Sequence, residues 1–89
     1  MHYVYVLFLN NAQLYAGRTD DLKRRIREHL DGRVDATRYR RPLQLIFYEA
    51  FAAKGDAIRK EKYLKTTKGK KTLKLILKDS LSYLVSKIA

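Results

Sequence analysis

The N-terminal segment from His2 to Leu9 constrains the fold most tightly, because it is apolar on both faces. It consists of β-branched, aromatic and aliphatic residues and is followed by the turn-forming pair Asn10-Asn11. A short apolar run of this composition, bounded by turn residues, predicts a strand in the centre of a sheet.

Residues 13–17 predict a second strand, which forms a hairpin with the first. A three-residue loop between the strands pairs Leu7 with Tyr15. The same register sets Tyr5 opposite Gly17. Because side chains alternate between the two faces of a strand, these four residues share one face of the hairpin.

The rest of the chain predicts one more strand and several helices. Leu22, Ile26 and Leu30 form an apolar stripe at helical spacing. The predicted segments are a helix over 21–31, a basic loop over 33–41, a strand over 42–49, a helix over 53–65, a break over 66–69, and from Lys70 a C-terminal helix, single or divided near Ser80. The order is ββαβα plus a C-terminal helix. The predicted fold class is α+β, a small three-stranded and mainly antiparallel sheet flanked by helices.

Length and charge narrow the function. With 89 residues the chain predicts a single domain over 1–89, and it contains no cysteine for disulfides, thiolate metal sites or nucleophilic catalysis. The net charge of +11 makes a polyanion, most commonly nucleic acid, the expected partner. No apolar run is long enough to span a membrane and no signal peptide is evident, so we expect a soluble, cytoplasmic protein.

Three polar side chains lie on or beside apolar helix faces. Arg25 and His29 are one turn apart at the edge of the stripe. Arg25 either extends its head into solvent or donates to a phosphate. Glu61 lies between Ala57 and Leu64 on the next predicted helix. It is either one half of a structural ion pair with an arginine or a ligand of Mg²⁺.

Tyr5 and Tyr15 share the hairpin face. They form either an aromatic cross-strand cluster or a pair of phenols that address a phosphodiester. A phenol, whose pKa is about 10, is a poor base unless nearby cations lower its pKa. The excess of positive charge in this chain predicts such a lowering.

The ordered set of elements resembles the GIY-YIG endonuclease superfamily, especially its small stand-alone bacterial members. Tyr3-Val4-Tyr5 corresponds to the first motif and Tyr15-Ala16-Gly17 to the second. The helix after them is similar to the family helix that carries a catalytic arginine, here Arg25, and a common histidine, here His29. The segment 57–65 is similar to the helix with the metal-binding glutamate, here Glu61.

The resemblance covers residue 3 to about residue 77, and the sequence departs from the family pattern at three points. Tyr3 replaces the glycine that opens the first motif, and Ala16 replaces the central isoleucine of the second. The asparagine found late in some members has no counterpart.

The resemblance implies a metal-dependent endonuclease that hydrolyses nucleic-acid phosphodiester bonds, in DNA rather than RNA. It implies one divalent ion, Mg²⁺ or Mn²⁺, on Glu61, and stabilisation of phosphoryl charge by Arg25. Tyr5, or as a second choice Tyr15, would take a proton from the attacking water with help from His29, leaving a product with a 5′ phosphate.

Several arginines are candidates for contacts with the nucleic-acid backbone. They are Arg18, Arg24, Arg27, Arg33, Arg38, Arg40 and Arg41. The lysines from Lys60 to Lys74 are interpreted as a solvated helix face. We expect no membrane partner, and the sequence leaves the oligomeric state open, including a monomer.

Two other functions use the same charge and aromatic residues. One is a non-catalytic nucleic-acid-binding module and the other is a small subunit of a ribonucleoprotein. Glu61 favours the enzyme, because a pure polyanion binder has little need of a carboxylate on the apolar face of its most basic segment.

Overall fold

The computed structural model describes the backbone from Met1 to Ile88 and the side chains as far as Lys87. Its elements are β1 (His2–Phe8), β2 (Leu14–Thr19), α1 (Leu22–Leu30), a short 3₁₀ helix (Arg38–Arg40), β3 (Gln44–Phe51), α2 (Lys54–Leu64), α3 (Thr67–Ile76) and α4 (Lys78–Ile88). The α+β class and the order ββαβ followed by helices are confirmed. None of the helices described is long and apolar enough to cross a membrane.

β1 is the central strand of a three-stranded sheet with the order β2-β1-β3. Both of its pairings are antiparallel. Leu7 pairs with Tyr15, and Tyr5 pairs with Gly17, in the predicted register. The hairpin geometry therefore follows from the apolar pattern and the loop length.

The two faces of β1 belong to separate apolar layers. Val4 and Val6 pack against buried residues of α2 and α3, including Ala57 and Leu64. On the opposite face, Tyr5 and Leu7 form a second cluster with residues of α1. Burial of both faces explains why the segment is apolar throughout.

The stripe predicted for α1 is wrong at its last position. Leu22 and Ile26 pack against the sheet, but Leu30 is 51% exposed. His29 is fully buried instead. The helix is oriented so that a polar side chain, rather than the leucine beside it, faces the sheet.

The C-terminal helices begin and divide at other positions than predicted. Thr66 caps α3 by accepting a hydrogen bond from the amide of Gly69 at 3.0 Å, so the helix begins at Thr67 rather than at Lys70. Gly69 lies against the backbone of Tyr63, where a side chain would not fit. The division falls at the buried Leu77, not near Ser80. The side chain of Ile88, the last residue of the predicted stripe, lies outside the described residues.

Gly17 provides the first prediction, because a β carbon there would fall on the Tyr5 hydroxyl. We expect Gly17→Ala to displace the phenol and to lower the free energy of unfolding by about 1–3 kcal/mol, measured by urea denaturation. Gly55→Ala is the control, since its β carbon would approach only the Arg59 guanidinium, at 3.8 Å, and should not destabilise the helix. Wild-type stability in Gly17→Ala would contradict this account of Tyr5.

Candidate active site

Four of the predicted site residues meet between α1 and the sheet. Tyr5 and His29 are 1% and 0% exposed, and the Tyr5 hydroxyl lies 2.8 Å from His29 Nε2. The rings of Tyr5 and Tyr15 both stand edge-on to the imidazole, with centroids 5.5 and 5.4 Å away. Arg25, one turn before His29, is close enough to Tyr5 to affect the pKa of its phenol.

Thr37 completes this group from the far side of the imidazole. Its Oγ1 lies 2.7 Å from His29 Nδ1, and the residue is fully buried. A turn closed by the Thr37 amide and the Val34 carbonyl carries it inward from a segment of mostly exposed residues. Sequence reasoning missed Thr37, because a threonine in a polar loop carries no signal; the one hint is the aliphatic Val34 in that loop.

His29 is neutral near pH 7. Burial lowers its pKa to about 4, with a further lowering by the charge of Arg25 and a partial offset by Glu28. A neutral imidazole donates through one nitrogen and accepts through the other. One of the two hydroxyls, Tyr5 or Thr37, therefore donates to the ring and the other accepts from it.

The predicted lowering of the phenol pKa is wrong for Tyr5. Burial raises the pKa of Tyr5, and this effect outweighs the opposing effect of the neighbouring Arg25 guanidinium. The positive charge of the chain lies mostly on its surface, whereas the phenol is enclosed by apolar neighbours. A low dielectric disfavours the phenolate more than one adjacent cation favours it.

Arg25 connects this buried group to a basic cavity. Its Nη1 donates to Glu28 Oε1 at 3.1 Å, and about a third of its side chain, 35%, is exposed. The cavity has a volume of about 350 Å³ and is lined by His2, Arg18, Thr19, Asp20, Arg24, Arg25 and Lys54. Such a lining suits an anion of phosphate size.

Glu61 lies beside the four clustered residues rather than among them, and its negative charge contributes to the raised pKa of Tyr5. It belongs to α2, which packs on the other face of the sheet, and its side chain is 20% exposed. Its Oε1 is 3.5 Å from Arg18 Nε, and its Oε2 is 3.2 Å from Lys65 Nζ. Arg18 also lines the cavity beside Arg25, so Glu61 approaches the site around the edge of β2.

A second ion pair joins α2 to the same face of the sheet, on the other side of β1 from the pair of Glu61 and Arg18. Val4 has Arg18 and Glu49 as its two cross-strand neighbours. Glu49 pairs with Lys60 at 3.3 Å, beside Glu61 on α2. The two pairs place α2 over the sheet, so the structural role of Glu61 weighed from the sequence has geometric support.

The carboxylate of Glu61 offers a divalent ion a single protein ligand, and two cations, Arg18 and Lys65, now flank it. Within the described residues, no group of three or more histidine, aspartate or glutamate side chains could hold a metal. Glu61 would be the protein ligand, with water and phosphate oxygens completing the shell, as Mg²⁺ accepts. Arg18 Nε is buried without a hydrogen-bond partner, so its interaction with Glu61 is electrostatic rather than a formed hydrogen bond.

The predicted backbone-binding arginines serve different local purposes. Arg24 forms ion pairs with three carboxylates, and Arg38 pairs with Asp35 at 3.6 Å. Arg41 donates to the carbonyls of Arg38 and Leu30, and so ties the 33–41 loop to α1. Arg27, Arg33 and Arg40 are exposed. Their contact with nucleic acid stays a prediction.

The lysines from Lys62 to Lys74 are exposed, as expected, whereas Lys60 is half-buried in its ion pair with Glu49. Three of the exposed lysines line a groove. Lys65, Lys70 and Lys74 border a cavity of about 590 Å³ beside β2, with Leu64 and Leu73 in its wall. The groove adds a basic surface that was not predicted from the sequence.

The depressed pKa of His29 makes stability depend on pH. His29 binds a proton near pH 6.5 in the unfolded chain but only near pH 4 in the folded chain. The contribution of neutral His29 to the free energy of unfolding is therefore fully present above pH 6.5 and falls on acidification. Between about pH 7 and pH 5 we expect a loss on the order of 2 kcal/mol in urea denaturation. His29→Gln should remove this dependence and His2→Gln should keep it; the same slope in His29→Gln would show that another group is responsible.

Comparison with known proteins agrees with this geometry. Residues 1–74 match the family model described as the GIY-YIG catalytic domain. The chain is 38% identical over 76 residues to UPF0213 protein SSP2268 of Staphylococcus saprophyticus, covering 84% of this chain and 93% of that one. It is 41% identical over 71 residues to UPF0213 protein YazA of Bacillus subtilis, covering 79% and 72%.

A solved structure shares the fold. The solution NMR structure of UPF0213 protein BH0048 from Bacillus halodurans matches with a TM-score of 0.55 and 36% identity, covering 84% of this chain and 83% of that one. The chain belongs to the GIY-YIG catalytic domain family, in its small UPF0213 group.

Proposed function

We propose that this protein is a metal-dependent endonuclease that hydrolyses phosphodiester bonds of nucleic acid, in DNA rather than RNA. The observation that carries the proposal is the buried chain of hydrogen bonds from Tyr5 through His29 to Thr37, beside an arginine that lines a basic cavity. This arrangement supports catalysis, because a neutral imidazole between two hydroxyls can move a proton, which the binding of a polyanion does not require.

The hydrogen bonds suit a proton relay. When Thr37 accepts from Nδ1, His29 Nε2 is left to accept from the Tyr5 hydroxyl. Tyr5 can then take a proton from the attacking water as its own proton passes to His29. The low pKa of His29 makes the imidazolium short-lived, so the proton returns through Tyr5 to the leaving oxygen or to solvent. A relay suits Tyr5, because burial raises the pKa of its phenol and a relay replaces the departing proton as it leaves. Thr37 is a positioning residue, which holds the imidazole through Nδ1.

Arg25 serves as the electrostatic partner of the phosphate. It lines the cavity and neighbours the Tyr5 phenol, so a phosphate on its guanidinium would lie beside the relay. The planar guanidinium can donate two parallel hydrogen bonds to phosphate oxygens, and charge that develops there in the transition state strengthens them. Glu28 holds the guanidinium at the cavity before substrate arrives.

Glu61 would hold the divalent ion, Mg²⁺ or Mn²⁺. When bound, such an ion supplies Lewis-acid stabilisation to a phosphate oxygen and the leaving oxygen. Lys65, whose side chain is 56% exposed, can release Glu61 at little cost. Arg18 keeps the carboxylate at the edge of β2.

A non-catalytic nucleic-acid-binding module is the second candidate. The ion pair of Glu61 with Arg18 favours it, because this pair gives the carboxylate a structural role without a metal. The two functions differ in what they require of Arg25 and Glu61, so cleavage assays separate them.

Plasmid and branched-DNA cleavage with Mg²⁺ or Mn²⁺ tests the proposal. Arg25→Ala and Glu61→Gln should each lower the cleavage rate about 100-fold or more, because each removes charge that acts on the transition state. Chelation by EDTA should abolish cleavage. Glu49→Gln is the matched control, since it removes the carboxylate of the second ion pair, between β3 and α2, and should retain activity.

Two outcomes contradict the proposal. Equal, metal-independent cleavage by wild type and both variants would identify a contaminating nuclease. Binding of DNA by wild type without any cleavage would favour the binding module. Urea denaturation of the three variants shows whether a loss of activity reflects a loss of fold.

A further inference from the structure

Tyr3 and Tyr48 form an aromatic pair outside the relay. Their ring centroids are 6.3 Å apart at an interplanar angle of 61°, an edge-to-face arrangement. Tyr48 is 53% exposed and lies on the edge strand β3. Among the described residues, neither hydroxyl has a hydrogen-bond partner. The pair is therefore an open aromatic surface rather than part of the core.

The sheet register places this surface next to the candidate site. Tyr48 is the direct cross-strand neighbour of Tyr5, and Tyr3 is two residues before Tyr5 on the same face. The cavity beside the pair, about 650 Å³, shares Asp20 and Arg24 with the basic cavity at Arg25. A ligand could therefore extend from one cavity into the other.

The charges of the two cavities differ. In the cavity at Tyr48, Asp20 and Asp21 face Arg24, each at 3.6 Å from the guanidinium, and Lys23 adds one more cation. The acidic side chains balance the basic ones there, whereas the cavity at Arg25 is predominantly basic. The cavity at Tyr48 therefore suits an uncharged aromatic group, and the cavity at Arg25 suits a phosphate.

We propose that Tyr3 and Tyr48 form a nucleobase-binding subsite, which stacks one base of the nucleic acid whose phosphate lies at Arg25. This inference rests on the proposed function. A nucleotide has both chemistries at adjacent positions, and stacking on tyrosine accepts any base because every base has an aromatic face. With this subsite, the affinity of the protein for nucleic acid depends on unpaired bases as well as on the charge of the backbone.

Binding to two polyanions of equal charge tests the subsite apart from catalysis. The probes are a dye-labelled thymidine oligonucleotide of about twelve residues and an abasic deoxyribose-phosphate oligomer of the same length, measured by anisotropy in EDTA. Wild type should bind the base-bearing oligomer about 5-fold more tightly, or better. Tyr48→Ala should bring this ratio close to one and leave binding of the abasic oligomer unchanged.

Three variants serve as controls. Tyr48→Phe should keep the wild-type ratio, because it keeps the aromatic face. Tyr48→Leu, which keeps apolar bulk on the strand, should lose the preference even where Tyr48→Ala fails to fold. Tyr83→Ala removes a tyrosine of similar exposure, 59%, from α4 and should change nothing.

The outcomes separate this inference from the proposed function. An equal affinity of wild type for both oligomers, or an unchanged ratio in Tyr48→Ala and Tyr48→Leu, overturns the subsite and leaves the endonuclease proposal standing. Failure of wild type to bind either oligomer also overturns the subsite, and the endonuclease proposal is then decided by the plasmid and branched-DNA cleavage assay.

Discussion

The hydrogen bond between the Tyr5 hydroxyl and His29 Nε2, 2.8 Å long, is the contact on which the rest of the site depends. It exists because Gly17 leaves space for the Tyr5 ring on the neighbouring strand. It is extended by Thr37, which occupies the other ring nitrogen. Burial gives this small group its chemistry, since it keeps the imidazole neutral and the phenol protonated.

The central strand explains how 89 residues build both a core and a site. Val4 and Val6 pack against α2 and α3, while Tyr5, which lies between them in the sequence, faces α1. The candidate site is therefore part of the packing, and a change that loosens it should affect stability as well as the proposed activity. Glu61 is the exception, because its helix belongs to the opposite layer and it reaches the edge of β2 beside Arg18.

The sequence predicted those parts of the structure that follow from periodicity. The pairing of Tyr5 with Gly17 was predictable because strand alternation and loop length leave one register. The burial of His29 in place of Leu30 was not, because neighbouring helical positions differ by a rotation that only tertiary packing decides. Thr37 was missed, and the shift of the Tyr5 pKa was assigned the wrong direction, for a related reason. Net charge is visible in a sequence, but the desolvation of one hydroxyl is not.

The most direct test of the account removes one oxygen atom. Tyr5→Phe keeps the ring against Gly17 and deletes only the hydroxyl that His29 contacts. In single-turnover cleavage of end-labelled DNA with Mg²⁺, wild type should leave 5′-phosphate ends that a ligase can rejoin. Tyr5→Phe should be about 100-fold slower or worse while it remains folded. An unchanged rate in folded Tyr5→Phe would contradict the relay and the role assigned to this site.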